Sequence, residues 1–424
     1  MLWLTSVAKT FAGHTLFWGK VSCSPSISSD LRQSLPARSR YSKFDPWLQK
    51  LLKEIALVDE ERKRYNAAYK ALEKDLVLAL NAEDPLFKMT FSALHPTGSS
   101  FEGLRIDDPN EFDMNAVLNL PLAKKDDVEV QEDESAGHMK VICKKPVDSY
   151  YDEPWFSNQV KQKGEEKNLN IIRSNLRKWW NGSYLSREKV LRWMQSAVDR
   201  ALVSMNSQKS LPLWRIIKSI SRKLSGPAVT LEVCTHNGDY FSVDFVPALV
   251  FHEDTLPQPI KDRVKAIAKK RRDWYLIPKG PAESAAKVWR ASLWDHEKDY
   301  ISGLEHFKPL VRLLKRLRDE QNWPGLASYY VKTAIMFIVE DVQDGGRGYF
   351  KRSIGDLIMR GLKQLQDVTT ACNIPFFWDE GHNLLEKMNR DTCQNMSKRL
   401  NVVFKSFEKS LTDDKEDPMV YFGT

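Results

Sequence analysis

The sequence predicts an α+β protein whose strands are confined to the first two thirds of the chain, with helices following almost alone. Three observations carry that prediction. Apolar residues recur at helical spacing from Trp47 to Leu80. Two strand-like runs, residues 228–234 and 240–246, flank the turn pair Asn237-Gly238. Beyond about residue 282 the pattern is almost wholly helical. The expected division is a disordered or targeting-like tail over 1–44, a first lobe with a long N-terminal helix over 45–281, and a helical lobe over 282–424.

A chain of 424 residues, 42% hydrophobic and 28% charged, suits two or three domains or one two-lobed domain and has ample core material. That composition excludes collagenous, low-complexity and wholly disordered chains. No run of about 18 apolar residues occurs, so no membrane-spanning helix is expected. The five cysteines, Cys23, Cys143, Cys234, Cys372 and Cys393, are odd in number and scattered. No disulfide framework is expected, and a reducing compartment fits.

Taken in order, residues 1–44 are acid-poor, and serines crowd residues 22–42 together with Arg32, Arg38 and Arg40. A mitochondrial transit peptide has this composition, and so does a basic tail, an extended gene start or a loose terminus. Asp45-Pro46 reads as an N-cap and first helical residue, opening an amphipathic helix of some nine turns. The turn His95-Pro96-Thr97-Gly98-Ser99-Ser100 precedes an extended stretch at 111–118, and the charged segment 124–135 reads as a hairpin loop. Residues 170–204 read as helical, with Trp179, Trp180 and Trp193 among basic residues.

Charge is concentrated. Residues 161–223 hold 15 Lys and Arg against 4 Asp and Glu, and residues 261–272 hold 7 against Asp262 alone. The whole chain carries only +8, so the remainder is slightly acidic. A solvated helix face explains one such run; two favour a polyanion partner, of which nucleic acid is the commonest.

The chemistry rests on three acids and one turn. Glu111 and Asp113 lie two apart in an extended segment, so both carboxylates leave one face. Such a pair alone is usually two solvated acids. Here Gly98-Ser99 stands upstream, suited to hold phosphate oxygens through backbone N–H groups and a hydroxyl. Asp244 sits between apolar residues in a second strand, where an acid is costly unless paired or bound to a metal. Three carboxylates beside a phosphate-holding turn suit two-metal phosphoryl transfer with Mg²⁺ or Mn²⁺.

Gly98-Ser99-Ser100-Phe101-Glu102 followed by Asn110-Glu111-Phe112-Asp113 resembles the signature of the nucleotidyltransferases related to cyclic GMP–AMP synthase (cGAS), Mab-type proteins and cGAS-like receptors among them. Residues 226–231 and 244–248, Trp274 to Lys279, Trp289 to Ser292, Ser328 to Thr333 and Ile374 to Leu385 follow that family's blocks in order. The resemblance implies a polymerase-β-like nucleotidyltransferase lobe with a twisted mixed sheet, then a helical lobe, the active site lying between them. It implies that Glu111, Asp113 and Asp244 hold two Mg²⁺ or Mn²⁺ ions and that Asp244 activates a ribose hydroxyl. Gly98 and Ser99 would hold the triphosphate, Tyr329 would stack on a base near Ser328 and Lys332, and Lys315 would reach the donor phosphates. Lys279 and Arg290 would read the acceptor, with Ser292 and Glu297 lining it.

Vertebrate cGAS carries a zinc-binding insertion of one His and three Cys. Here no cysteine separates His296 from His306, so no zinc is expected. In this the chain resembles the insect cGAS-like receptors, which respond to double-stranded RNA. A-form RNA is read mainly by shape and backbone, and the candidate contacts are Arg173, Arg177, Lys178, Arg187, Arg192, Arg215, Lys218, Arg222 and Lys223. The resulting expectation is a cytoplasmic receptor that binds double-stranded RNA, with a possible dimer on the RNA and no membrane partner. It would join ATP and GTP into a cyclic dinucleotide for a STING-type receptor in antiviral defence. The alternatives are a catalytically silent Mab-type interaction protein and an RNA-tailing or linear-oligonucleotide transferase.

Overall fold

The helical periodicity that starts at Trp47 forms two helices rather than one. Helix α1 (Asp45–Glu54) stops, and α2 (Asp59–Glu83) begins afresh after an extended Val58. Asp59, Glu60 and Glu61 fill the first turn of α2, where acids complement the helix dipole and favour a new start. The Ile55 carbonyl, released at the break, accepts the Asp107 N–H at 3.2 Å. Pro46 occupies the first turn of α1 as expected, but Asp45 does not cap its own helix. Its carboxylate accepts the Ser353 hydroxyl at 2.7 Å and the Gly355 N–H at 2.8 Å, capping a helix more than 300 residues away.

The computed structural model describes residues 39–423 apart from 109, 136, 224–227, 269, 281–285 and 343–345. Most of the expected tail, residues 1–38, lies outside the described residues, as do Gly226-Pro227 of the resemblance. From Ser39 onward the chain packs as one unit.

After α2 come α3 (Pro85–Thr90), β1 (Phe91–Thr97), α4 (Gly98–Glu102), β2 (Glu111–Asn119), β3 (Val128–Glu132) and β4 (His138–Cys143). Next are α5 (Val147–Tyr150), α6 (Pro154–Gln162), α7 (Leu169–Lys178), the short β5 (Trp180–Asn181) and β6 (Tyr184–Leu185), and α8 (Arg187–Ser207). The lobe continues through β7 (Ile217–Arg222), β8 (Val229–Thr235), β9 (Tyr240–Phe251), α9 (Ile260–Ile267), β10 (Trp274–Ile277) and β11 (Trp289–Ser292). These strands form one sheet in the order β1-β2-β9-β10-β11-β4-β6-β5, with β3 beside β4, and β8 then β7 beside β9. The sheet is mixed: β2 and β9 run parallel, and β1–β2, β8–β9 and β9–β10 are antiparallel.

Two loop and helix expectations are corrected here. The segment 124–135 is not all loop: Lys125–Asp127 form a 3-10 turn, and Val128–Glu132 is β3, paired antiparallel with β4. The helix expected over 170–204 is interrupted by the β5–β6 hairpin, where Gly182 takes a φ of +60°. Trp179 and Trp180 at that break are buried in the core, and Trp193 packs on Trp179 at 4.8 Å. Trp179 and Trp180 belong to the core, and Trp193 is partly buried against it.

The helical part comprises α10 (Trp294–Ile301), α11 (Phe307–Glu320), α12 (Ser328–Asp341), α13 (Ile354–Ala371), the hairpin β12 (Pro375–Phe376) and β13 (Asp379–Asn383), and α14 (Arg390–Lys409). One apolar core runs continuously from the sheet into these helices. Contrary to the sequence expectation, Cys372 and Cys393 form a disulfide, with Cα atoms 5.5 Å apart. Cys372 ends α13 in a left-handed conformation, and α14 packs along α13, so two cysteines distant in a residue count meet in space.

Candidate active site

Parallel pairing of β2 with β9 places Asp113 directly opposite Asp244. Alternation along each strand sends Phe112, Met114, Phe241, Val243 and Phe245 into the core. Asp113 and Asp244 leave the other face side by side. Two like charges opposed across a strand pair repel, and the electrostatics reflect it. Burial, then Asp244, then Glu111 push the Asp113 carboxyl up to about 6, with Arg105 pulling the other way. Asp244 takes a different partner, accepting the Thr230 hydroxyl from β8 at 2.6 Å.

The Gly98-Ser99 turn lies against this pair. Gly98 has a φ of +75°, and a Cβ there would stand 1.8 Å from Asp113 Oδ2. Only glycine lets the turn approach the acid so closely. Ser99 accepts the Leu104 N–H through its carbonyl at 2.9 Å, and the Ser100 hydroxyl donates to the Glu111 carbonyl at 2.8 Å. The turn, the helix α4 and the start of β2 are thereby joined.

Glu111, the third acid, is more than half exposed, and its Oε2 accepts Arg105 Nη1 at 2.8 Å. As the side chains stand, no three His, Cys, Asp or Glu among the described residues are grouped to hold an ion. The donor chemistry still fits a hard divalent cation. Asp113 and Asp244 are oxygen donors held together, and a cation would offset both the burial and the neighbouring negative charge that push Asp113 up.

The remaining expected residues fall around this centre. Lys279, exposed by surface area, is shifted down by desolvation and then by Arg290, while Asp113 and Asp244 pull it up. Arg290 on β11 lies over the Tyr329 ring at 5.3 Å, so an arginine covers the face expected to meet a base. The Tyr329 hydroxyl donates to Glu297 at 2.9 Å. Lys332 donates to Glu297 at 2.8 Å and to both oxygens of Glu102 at 2.9 and 3.0 Å. Lys315 donates to the Leu104 carbonyl at 2.8 Å, and burial, followed by Arg318 and Arg105, lowers it to about 8. The Ser328 hydroxyl accepts Arg318 at 2.7 Å. Ser292 sits at the end of β11 opposite Tyr275. Lys332 and Lys315 are thus each held by protein groups here.

Thr230, Glu102 and Arg105 bond to these residues, and the sequence alone gave none of them a role. Thr230 was legible in principle, because the β8–β9 hairpin sets it opposite Asp244. Glu102 and Arg105 gave no comparable signal, since their partners come from a distant helix and a loop conformation.

The basic residues divide. Arg222 grips Asp199 with two bonds of 2.6 and 3.0 Å, and Arg173 and Arg177 both pair with Asp152. Arg192 pairs with Glu188 at 3.3 Å, and Lys178 reaches Asn175 at 3.2 Å. Arg215, Lys218 and Lys223 are exposed and Arg187 is half-buried. Lys178 and Arg192 also border a groove of about 370 Å³ between α7 and α8, with Lys189 and Arg200.

Comparison with known proteins agrees with this geometry. Residues 100–303 match the Mab-21 protein nucleotidyltransferase domain, and residues 306–402 match the Mab-21 protein HhH/H2TH-like domain. A cyclic GMP-AMP synthase-like receptor of Aethina tumida is 27% identical over 85% of this chain and 86% of its own length. One of Ctenocephalides felis is 28% identical over 88% of this chain and 86% of its own. One of Tribolium castaneum is 25% identical over 84% and 86%. With paired acids in register under a Gly-Ser turn and both domain types matched in order, the chain belongs to the Mab-21 nucleotidyltransferase family and is a cGAS-like nucleotidyltransferase.

Proposed function

We propose that this transferase is a cytoplasmic cGAS-like receptor that binds double-stranded RNA and then joins ATP and GTP into cyclic GMP–AMP for a STING-type receptor. The observation that carries the catalytic half is the in-register pair Asp113 and Asp244 beneath the Gly98 turn. Two Mg²⁺ or Mn²⁺ ions held by Glu111, Asp113 and Asp244 would lower the pKa of the attacking hydroxyl and neutralise the triphosphate. The chain's own groups supply the rest. The Gly98-Ser99 turn holds phosphate oxygens. Thr230 aims Asp244, which takes the proton of the ribose hydroxyl. Arg290 leaves the Tyr329 ring to a base and turns its two donors to the acceptor. Lys279, next to the acids, offsets charge on the acceptor side. RNA lies along the exposed Lys178, Arg215, Lys218 and Lys223.

The test is product analysis by mass spectrometry. The full chain is incubated with ATP, GTP and Mg²⁺ or Mn²⁺, alone, with double-stranded RNA or with double-stranded DNA, beside a Glu111→Ala/Asp113→Ala control. A cyclic dinucleotide made with RNA and absent from the control is the expected result. Linear oligonucleotides would replace this reading with the tailing alternative. No product with any nucleic acid would leave an interaction protein or a receptor with a different trigger.

A further inference from the structure

Two of the three acids face each other, but Glu111 is engaged elsewhere. Its backbone carbonyl is fixed by the Ser100 hydroxyl at 2.8 Å, so only its side chain is left to choose a partner. That partner is Arg105, whose side chain is 18% exposed. The guanidinium uses three of its donors at once: Nε to the Asp108 carbonyl at 2.9 Å, Nη1 to Glu111 Oε2 at 2.8 Å and Nη2 to Asn110 Oδ1 at 2.6 Å. Planar, fork-shaped donation of this kind is strong and directional, and a point-charge lysine does not reproduce it. The residue before it is also held, because Lys315 from α11 binds the Leu104 carbonyl at 2.8 Å.

We propose that Arg105 is a positioning residue that competes with divalent metal for Glu111, so that the third acid joins Asp113 and Asp244 only when Arg105 lets go. The proposal rests on the reading of those three acids as the metal ligands. Glu111 is turned to the guanidinium and is not grouped with the other two acids, so bringing its carboxylate to them means giving up the 2.8 Å bond from Arg105. When Arg105 releases Glu111 it keeps the Asp108 carbonyl and Asn110, so the guanidinium is never stranded and the exchange is cheap enough to be reversible. Arg105 thereby lowers metal affinity and offsets the charge of the third acid whenever no ion is bound.

Manganese binding reads this without any turnover. Free Mn²⁺ is titrated by electron paramagnetic resonance against the full chain and its Arg105→Gln, Arg105→Lys and Glu111→Gln variants, with melting temperatures confirming that each is folded. Arg105→Gln should bind Mn²⁺ on the order of tenfold tighter than the unaltered protein, the equivalent of one charge-assisted hydrogen bond. Arg105→Lys keeps the charge and loses the fork, so it should also bind several-fold tighter. If Arg105→Lys matches the unaltered protein while Arg105→Gln is tighter, bulk charge is the cause and the specific grip is refuted. Weaker binding by Arg105→Gln would show that Arg105 builds the site instead of competing for it. If Glu111→Gln binds as well as the unaltered protein, the assignment of the metal ligands fails first, and no Mn²⁺ binding by any variant overturns both.

Discussion

Asp113 shows most directly what the site demands of a single residue. Its carboxyl titrates at about 6 in the folded chain against an ordinary 3.8. A raised acid binds its proton more tightly folded than unfolded. The resulting destabilisation is absent below about 3.8, grows as pH rises through about 6, and is complete above it. A rise of that size amounts to about 3 kcal/mol of stability forgone at neutral pH. In EDTA, Asp113→Asn should therefore melt higher than the unaltered protein at pH 7.5, and the gain should shrink by pH 4.5. An equal melting temperature at both pH values would show that burial and the neighbouring acids do not raise Asp113 in this way. The acid was legible in the sequence from Glu-x-Asp spacing, and Gly98 from its turn. Their collision course was not, because the 1.8 Å approach depends on how β1 and β2 pair.

Among elements, α12 is fastened by one buried ammonium. Lys332, 4% exposed, bridges Glu297 on α10 and Glu102 on α4. Burial works against charge on Glu297, but Lys332, with hydrogen bonds from Lys332, Tyr329 and Trp378, overrides it and holds the carboxyl below its usual range. Burial would likewise lower Lys332, and the two carboxylates raise it instead. Lys332→Met should cost about 3–5 kcal/mol in urea unfolding, since it strands two acids. Adding Glu102→Gln and Glu297→Gln should return a large part of that loss. A single variant within about 1 kcal/mol of the unaltered protein would refute the bridge as a structural tie. The sequence shows Lys332 only as part of a motif, and the motif suggests nucleotide contact. That its charge is answered by two carboxylates follows from three elements meeting, which no local pattern encodes. The α1–α2 break is similar: the apolar periodicity runs straight through residues 55–58, and only the acidic trio at 59–61 hints at a second start.

At the scale of the whole molecule, charge and topology are legible to different degrees. The β8–β9 hairpin, β2 and the helical second part follow from alternation, the Asn237-Gly238 turn and 3.6-residue periodicity. The sheet order is not local information, and neither is the split of basic residues into paired and exposed sets. Arg222 and Arg177 already spend their charge on Asp199 and Asp152. A charge reversal aimed at RNA should therefore use the exposed Lys178, Lys218 and Lys223. Changing these three to Glu should weaken binding of double-stranded RNA and flatten its salt dependence. The log–log slope should fall by about 0.7–0.9 for each phosphate the protein no longer neutralises. Reversing Arg222 should act mainly through stability. Unchanged RNA affinity in the triple variant, measured from about 50 to 200 mM salt, would place the RNA face elsewhere.

The register that sets Asp113 against Asp244 also bears on how such a gene ages after duplication. A copy released from catalysis gains stability from a neutral substitution at Asp113, and selection for folding alone favours it. Keeping Asp113 runs against that drift in every generation, so the residue acts as a clock of use. In a duplicate of this chain it is the part that idleness would erase soonest, well before the core that surrounds it.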